Sequence, residues 1–212
     1  MSYGSRWSWL LAASGVMSLL TLTVCQHEAR PSELRDGDII FQTSRSRQSR
    51  AIQLATHSRW SHMGMVHLAG GKPYVYEAVG PVKLTPLDDW IRRGEGAHYQ
   101  IKRLKDAGTQ ITPRSLKRMQ SEAMKFRGRP YDLTFEWSDA RLYCSELVWK
   151  VYQRGLGIEL ARPARLGDAD LSAPEVRSLM RQRYGEKLPL DEPVVSPQQI
   201  FDSPLLMTVA SR

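Results

Sequence analysis

Three side chains that lie far apart in the sequence have the types needed for a thiol-nucleophile site. Cys144 begins a segment with helical spacing, His62 begins an apolar stretch typical of a strand, and Glu77 lies in the next such stretch. A thiolate is a nucleophile, an imidazole exchanges protons near neutral pH, and a carboxylate orients the imidazole. These residue types predict Cys144 as nucleophile, His62 as base and Glu77 as the group that orients the base.

The pairing of His62 with Glu77 follows from a hairpin predicted at residues 69–72, Ala-Gly-Gly-Lys. A loop of two or four residues pairs positions whose numbers add up to 141, which puts Gly64 opposite Glu77. Residues two apart share a face, so His62 and Glu77 are diagonal neighbours about 7–8 Å apart at the backbone. A loop of three or five residues would break this arrangement. A purely structural hydrogen-bonded pair inside the sheet is the alternative.

Cys144 is predicted to lie in the first turn of a helix. Leu147, Val148 and Val151 share its face, so the thiol points along the buried side. The positive end of the helix dipole and the unpaired N–H groups there stabilise a thiolate and can receive an oxyanion. Glu146 would oppose the thiolate, so its side chain is expected to point elsewhere. The alternative is a cysteine that only packs in the core.

The first 25 residues have the pattern of an export segment. No charge occurs from Trp7 to Val24, and Arg6 precedes this apolar stretch. Its end resembles the lipobox of bacterial lipoproteins, which implies lipidation of Cys25. Residues 1–25 are therefore predicted to be a signal peptide, a lipoprotein signal or a membrane anchor, with a buried core helix as the alternative. The prediction is a protein exported to the bacterial cell envelope and associated with the membrane through its N-terminus.

Composition and charge exclude several classes of protein. The chain has 212 residues, 42% of them hydrophobic and 25% charged, which is typical of a globular protein and excludes disorder. The formal charge of +8 suits an anionic lipid or wall polymer, but no nucleic-acid recognition motif is present. His57, His62 and His67 recur every five residues, which suits neither one helix face nor one strand face. We therefore predict no metal site, no cofactor and no nucleic-acid partner.

The remaining patterns predict an α+β fold, a small antiparallel sheet flanked by helices. Residues 26–33 form a polar linker, and 34–212 form one domain with an irregular, proline-rich extension after Leu160. The oligomeric state is not encoded in any visible pattern. The predicted strands are 39–41, 63–68, 74–79 and 99–104, and the predicted helices are 51–55, 87–92, 115–126, 144–153 with Gly155 as its stop, and 173–183.

Five stretches together resemble the circularly permuted NlpC-type cysteine hydrolases of the papain-like superfamily, in particular the YiiX/YebB-like group. The histidine precedes the cysteine by 82 residues, as permutation implies. The resemblance implies a permuted papain-like fold in which Cys144 attacks an amide or ester carbonyl and forms an acyl-enzyme that water resolves. It also implies that His62 acts as base and then acid, and that Tyr131 and Tyr143 line the site or assist the oxyanion. The matching stretches are 34–41, 61–66, 76–78, 128–132 and 143–148.

Several functions agree with this resemblance. The first is cleavage of an amide, either peptide or isopeptide, in cell-wall peptides derived from peptidoglycan. The second is a lipid-acting acyltransferase or acyl hydrolase of the lecithin–retinol acyltransferase type. An apolar groove would favour the lipid substrate, and a polar cleft would favour the peptide. The third is a non-catalytic envelope protein.

Overall fold

The computed structural model describes Met1 and residues 33–212. The predicted export segment, Cys25 and all but the last residue of the predicted linker lie outside the described residues. None of the helices formed by the described residues combines the length and apolar character needed to span a bilayer. Export, membrane association and the assignment of 34–212 to one domain therefore stay predictions.

The described chain forms an antiparallel sheet of six strands with helices on both faces, which confirms the predicted α+β class. The strand order is β4-β3-β2-β1-β5-β8, and β6 and β7 form a separate two-stranded ribbon. The strands are β1 Ile39–Gln42, β2 His62–Ala69, β3 Lys72–Ala78, β4 Val82–Pro86, β5 Gln100–Leu104, β6 Ala164–Arg165, β7 Pro193–Val194 and β8 Leu206–Ser211. The helices are α1 Arg47–Thr56, α2 Leu87–Arg93, α3 Ala107–Gln110, α4 Pro113–Phe126, α5 Cys144–Leu156, α6 Pro174–Tyr184 and α7 Pro197–Phe201.

The hairpin between β2 and β3 has the predicted register. Met65 pairs with Tyr76 and Ala69 pairs with Lys72, so the paired numbers add up to 141. The two loop residues, Gly70 and Gly71, have φ angles of 57° and 76°, a left-handed conformation that glycine adopts without steric cost. This short loop fixes which residues of β2 and β3 pair. Alternate side chains along each strand then face the same side of the sheet.

The two faces of the sheet carry different helices. One face packs against α4 and α5, and the other packs against α2. The first core includes Phe41, Met63, Met65, Tyr76 and Leu147. The second core includes Ile40, Val66, Val75, Trp90 and Ile101. His62 lies at the first residue of β2, where the sheet ends and side chains from both layers approach each other.

The prediction of an irregular C-terminal extension is wrong. β8 pairs along β5 as an edge strand, and α7 and the β6–β7 ribbon pack beside α5 and α1. The sequence also gave no signal for β4, another edge strand, which is bordered by Pro81 and ends at Pro86. Edge strands tolerate proline and pair on one side only, so they show neither the length nor the clean alternation of central strands.

The prediction that Gly155 ends the nucleophile helix is also wrong. α5 continues to Leu156 and ends at Gly157, whose φ of 75° is the left-handed conformation typical of a helix end. Gly155 instead lies inside the helix against α4, where a Cβ would stand 2.8 Å from the Met119 Cα. This glycine therefore lets the two helices approach closely. α1 is longer than predicted because Ser46 caps its N-terminus and accepts from the Ser49 N–H.

Gly155→Ala is expected to destabilise the protein by about 1–3 kcal/mol, because the new methyl group meets the Met119 backbone. Helix propensity alone predicts the opposite sign, a gain of about 0.5–1 kcal/mol. The free energy of unfolding, measured by urea denaturation, distinguishes these outcomes. The control is Gly108→Ala in α3, where no atom lies within 4 Å of the added Cβ. A stable Gly155→Ala variant would contradict the close contact between α4 and α5.

Candidate active site

The Glu77 carboxylate is fully buried and has three hydrogen-bond donors around it. Its Oε2 lies 2.7 Å from Nε2 of His62, and its Oε1 accepts from the Thr85 hydroxyl and the Arg93 guanidinium. Burial alone raises the pKa of this carboxyl group. The hydrogen bond and charge of His62, the Thr85 hydroxyl and the charge of Arg93 outweigh burial, so the pKa lies below its usual value. Glu77 is therefore a carboxylate at neutral pH.

His62 links this carboxylate to the thiol. The residue is 7% exposed, its ring stacks on Trp90 with 5.8 Å between ring centroids, and its Nε2 hydrogen-bonds Glu77, while Cys144 lies near enough to act on its pKa. Burial lowers the pKa of His62, but the hydrogen bonds to Cys144 and Glu77 and the charges of both raise it to about 9. Because Glu77 takes Nε2, the nitrogen left for the thiol is Nδ1. The arrangement favours an imidazolium beside the sulfur at neutral pH.

Cys144 is the first residue of α5 and is 2% exposed. Tyr143 precedes it in an extended conformation, so the thiol stands at the positive end of the helix. Glu146 points away from the sulfur, as predicted from the sequence. Its Oε1 lies 2.7 Å from the Lys150 ammonium, and its Oε2 accepts from the Tyr143 N–H at 3.4 Å. The first turn of α5 thus places the Cys144 thiol and backbone N–H groups at the site, while the Glu146 side chain is held by Lys150.

The two tyrosines predicted near the site have different positions. The Tyr143 hydroxyl accepts the Val195 N–H at 3.1 Å, so this side chain joins α5 to the segment before α7. The Tyr131 hydroxyl accepts from Gln48 Nε2 at 2.7 Å and stands beside Cys144. Burial raises the pKa of both hydroxyls, so both stay protonated. Both tyrosines form part of the wall beside Cys144, and Tyr143 also anchors the start of α5.

Two clefts meet at the thiol–imidazole pair. A narrow cleft of about 100 Å³ is almost entirely apolar and includes Cys144, Ile52 and Val195 in its wall. A wider opening of about 590 Å³ is lined largely by polar side chains and includes His62 and Arg93. The apolar groove and the polar cleft that would separate the predicted substrates are thus both present, on different sides of the pair.

His57 and His67, which recur with His62 at five-residue intervals, each pair with an aspartate instead. His57 Nε2 lies 3.0 Å from Asp170, and His67 Nδ1 lies 3.0 Å from Asp36. Among residues 33–212 and Met1, no three His, Cys, Asp or Glu side chains converge as a metal ion requires.

Sequence reasoning missed two residues that hold the site together. Thr85 belongs to β4, a strand without a sequence signal, and Arg93 lies one residue beyond the predicted helix 87–92. A buried carboxylate needs more than one donor, so the prediction that Glu77 is buried implied further partners. Nothing in the sequence indicated which residues these were.

Comparisons with known proteins identify the family of this chain. The family model described as "permuted papain-like amidase enzyme, YaeF/YiiX, C92 family" matches residues 33–210. The uncharacterised protein YiiX of Escherichia coli K12 is 51% identical over 174 residues, 82% of this chain and 85% of YiiX. The crystal structure of YiiX from E. coli O157:H7, described there as a metalloprotein, is 50% identical with a TM-score of 0.80 and covers 84% of this chain and 97% of that one. The predicted permuted papain-like resemblance is thus confirmed, and the chain belongs to the permuted papain-like amidase family of YaeF and YiiX.

Proposed function

We propose that this protein is a cysteine hydrolase that cleaves an amide bond through Cys144, His62 and Glu77. The observation that carries the proposal is a buried imidazole that hydrogen-bonds a buried carboxylate and lies near a cysteine at the start of a helix. Glu77 fixes the orientation and tautomer of the ring, as the third member of a catalytic triad does. Family membership supports hydrolysis of an amide, and the geometry supports the assignment of roles to these residues.

The reaction follows from the positions of these groups. The Cys144 thiolate attacks the substrate carbonyl carbon, while N–H groups at the start of α5 stabilise the oxyanion. His62 gives its proton to the leaving nitrogen, the C–N bond breaks, and a thioester remains on Cys144. Water then loses a proton to His62 and attacks the thioester. The C–S bond breaks, which regenerates the thiolate beside the imidazolium.

The substrate class has two candidates. Cell-wall peptides remain the prediction from the expected envelope location, and the polar opening beside His62 supports a peptide-like group there. A lipid-acting acyl transferase or hydrolase is the second candidate, because the cleft beside Cys144 is apolar. A non-catalytic envelope protein is the alternative to both enzymes. The buried pair of His62 and Glu77 argues against it, because burying a charged pair is costly.

The E. coli structure is described as that of a metalloprotein. In the described part of this chain no group of three ligating side chains is available to hold a metal ion. The residues therefore do not fit a metal centre, and no step of the proposed reaction involves one.

Cys144→Ala is expected to lower turnover at least about 10³-fold, because it removes the thiol that forms the proposed acyl-enzyme. Wild-type protein and variant are incubated with wall peptides and, separately, with phospholipids, and products are compared by mass. A product from one class that the variant does not form identifies the substrate class. Thermal unfolding of the variant checks that the fold is retained. Equal product formation by both proteins would refute Cys144 as nucleophile.

A thiol-reactive probe tests the non-catalytic alternative in the same preparation. The thiolate–imidazolium pair is expected to make Cys144 react with iodoacetamide at neutral pH faster than a model thiol does. A thiol that is accessible to the probe but no faster than the model thiol would favour the non-catalytic protein.

We expect kcat/KM to fall as the pH rises above about 9, because the His62 imidazolium then loses its proton. Because the Glu77 carboxylate raises the pKa of His62, Glu77→Gln moves this basic limb to lower pH. The matched control is Glu122→Gln on α4, whose carboxylate pairs with Lys125 away from the site. A basic limb that stays in place in Glu77→Gln would refute the coupling between Glu77 and His62.

A further inference from the structure

Each of the two clefts includes one of the two reacting residues in its wall. Cys144 belongs to the wall of the apolar cleft, and His62 belongs to the wall of the polar opening. Tyr131 and Ile52 belong to both walls, so the two clefts are neighbours that share part of their lining. A substrate whose carbonyl carbon reaches the sulfur therefore extends one part into each cleft.

The proton donor decides which part of the substrate enters which cleft. In amide cleavage the imidazolium must give its proton to the leaving nitrogen, which places that nitrogen next to His62. The leaving amine thus lies in the polar opening, where His62 forms part of the wall. The acyl group stays attached to the Cys144 sulfur and lies in the apolar cleft.

The polar opening has a strongly cationic rim. Arg45 and Arg93 both line it, and none of the described residues that line it is an aspartate or glutamate. Arg45 Nη2 donates to the Gly94 carbonyl at 3.2 Å, which fixes its guanidinium next to the end of α2, where Arg93 lies. Arg93 uses one nitrogen for Glu77 and is 39% exposed, so other N–H groups of its fork remain for a ligand.

We infer that the site selects amides whose leaving amine carries a carboxylate and whose acyl group is short and apolar; this inference rests on the proposed function. Two guanidinium groups at one rim match the charge and geometry of a carboxylate, which arginine binds through paired N–H groups. The net reaction adds one water to an N-acyl amino acid and releases an apolar carboxylic acid and an amino acid. No oxidant, reductant or further reactant is needed.

The test compares acids with their neutral carboxamides. The substrates are N-butyrylglycine and N-butyryl-4-aminobutyrate, each paired with its carboxamide, so that two distances from the scissile bond to the carboxylate are sampled. For at least one pair we expect kcat/KM of the wild-type protein to favour the acid by about tenfold or more. Arg45→Gln is expected to abolish this preference. Arg47→Gln, the same charge change two residues away and outside the rim, is expected to retain it.

Each result supports or overturns the inference. Cleavage of the carboxamides as fast as the acids, or a preference that survives Arg45→Gln, overturns it while the proposed hydrolase function stands. If the wild-type protein cleaves none of the four compounds, binding to Cys144→Ala is measured by calorimetry. Tighter binding of the acids, lost when Arg45→Gln is added, still supports the anionic subsite, and equal affinity for acids and carboxamides overturns it.

Discussion

The buried carboxylate of Glu77 is the interaction on which the rest of the site depends. Removing a carboxylate from water costs several kcal/mol, and partners must offset this cost. Those partners come from three separate elements: His62 from β2, Thr85 from β4 and Arg93 from α2. The strand register and the docking of α2 must therefore all be correct before the carboxylate is stable. The hydrogen bond that helps to offset the burial of Glu77 also fixes the orientation of the His62 ring.

His62 lies near Cys144 because it stands at the end of its strand rather than within it. Its ring stacks on Trp90 of α2, yet it also reaches Cys144 at the start of α5, which packs on the opposite face of the sheet. The C-terminal segment helps to hold α5 in this position. The Val195 N–H donates to the Tyr143 hydroxyl, and the Val195 carbonyl accepts from the Ser145 hydroxyl at 2.7 Å. The tail thus anchors both neighbours of Cys144.

The parts of the site that are encoded locally were predictable from the sequence, and those that depend on tertiary packing were not. The Gly70-Gly71 turn fixed the hairpin register and hence the proximity of His62 and Glu77. The residues around Cys144 predict the start of a helix. The predicted end of that helix, at Gly155, is wrong, because in sequence a glycine at a close contact between helices looks the same as one that stops a helix. Thr85 and Arg93 were not predicted, because Thr85 lies in an edge strand and Arg93 at a helix end, and both have weak sequence patterns. The contact between His62 and Cys144, 82 residues apart, was implied only by family resemblance.

The unequal clefts also bear on the choice between hydrolysis and acyl transfer. In the proposed reaction, the thioester left on Cys144 would have its acyl chain in the apolar cleft and its carbonyl towards the polar opening. Any second nucleophile must enter beside His62, because only that group can take its proton. The opening there has a volume of about 590 Å³, against about 100 Å³ for the apolar cleft, and includes polar side chains in its wall, so it has room for water next to His62. An acyltransferase must exclude water at this stage. A wide polar entrance on the side of the base therefore favours hydrolysis, whichever amine departs first.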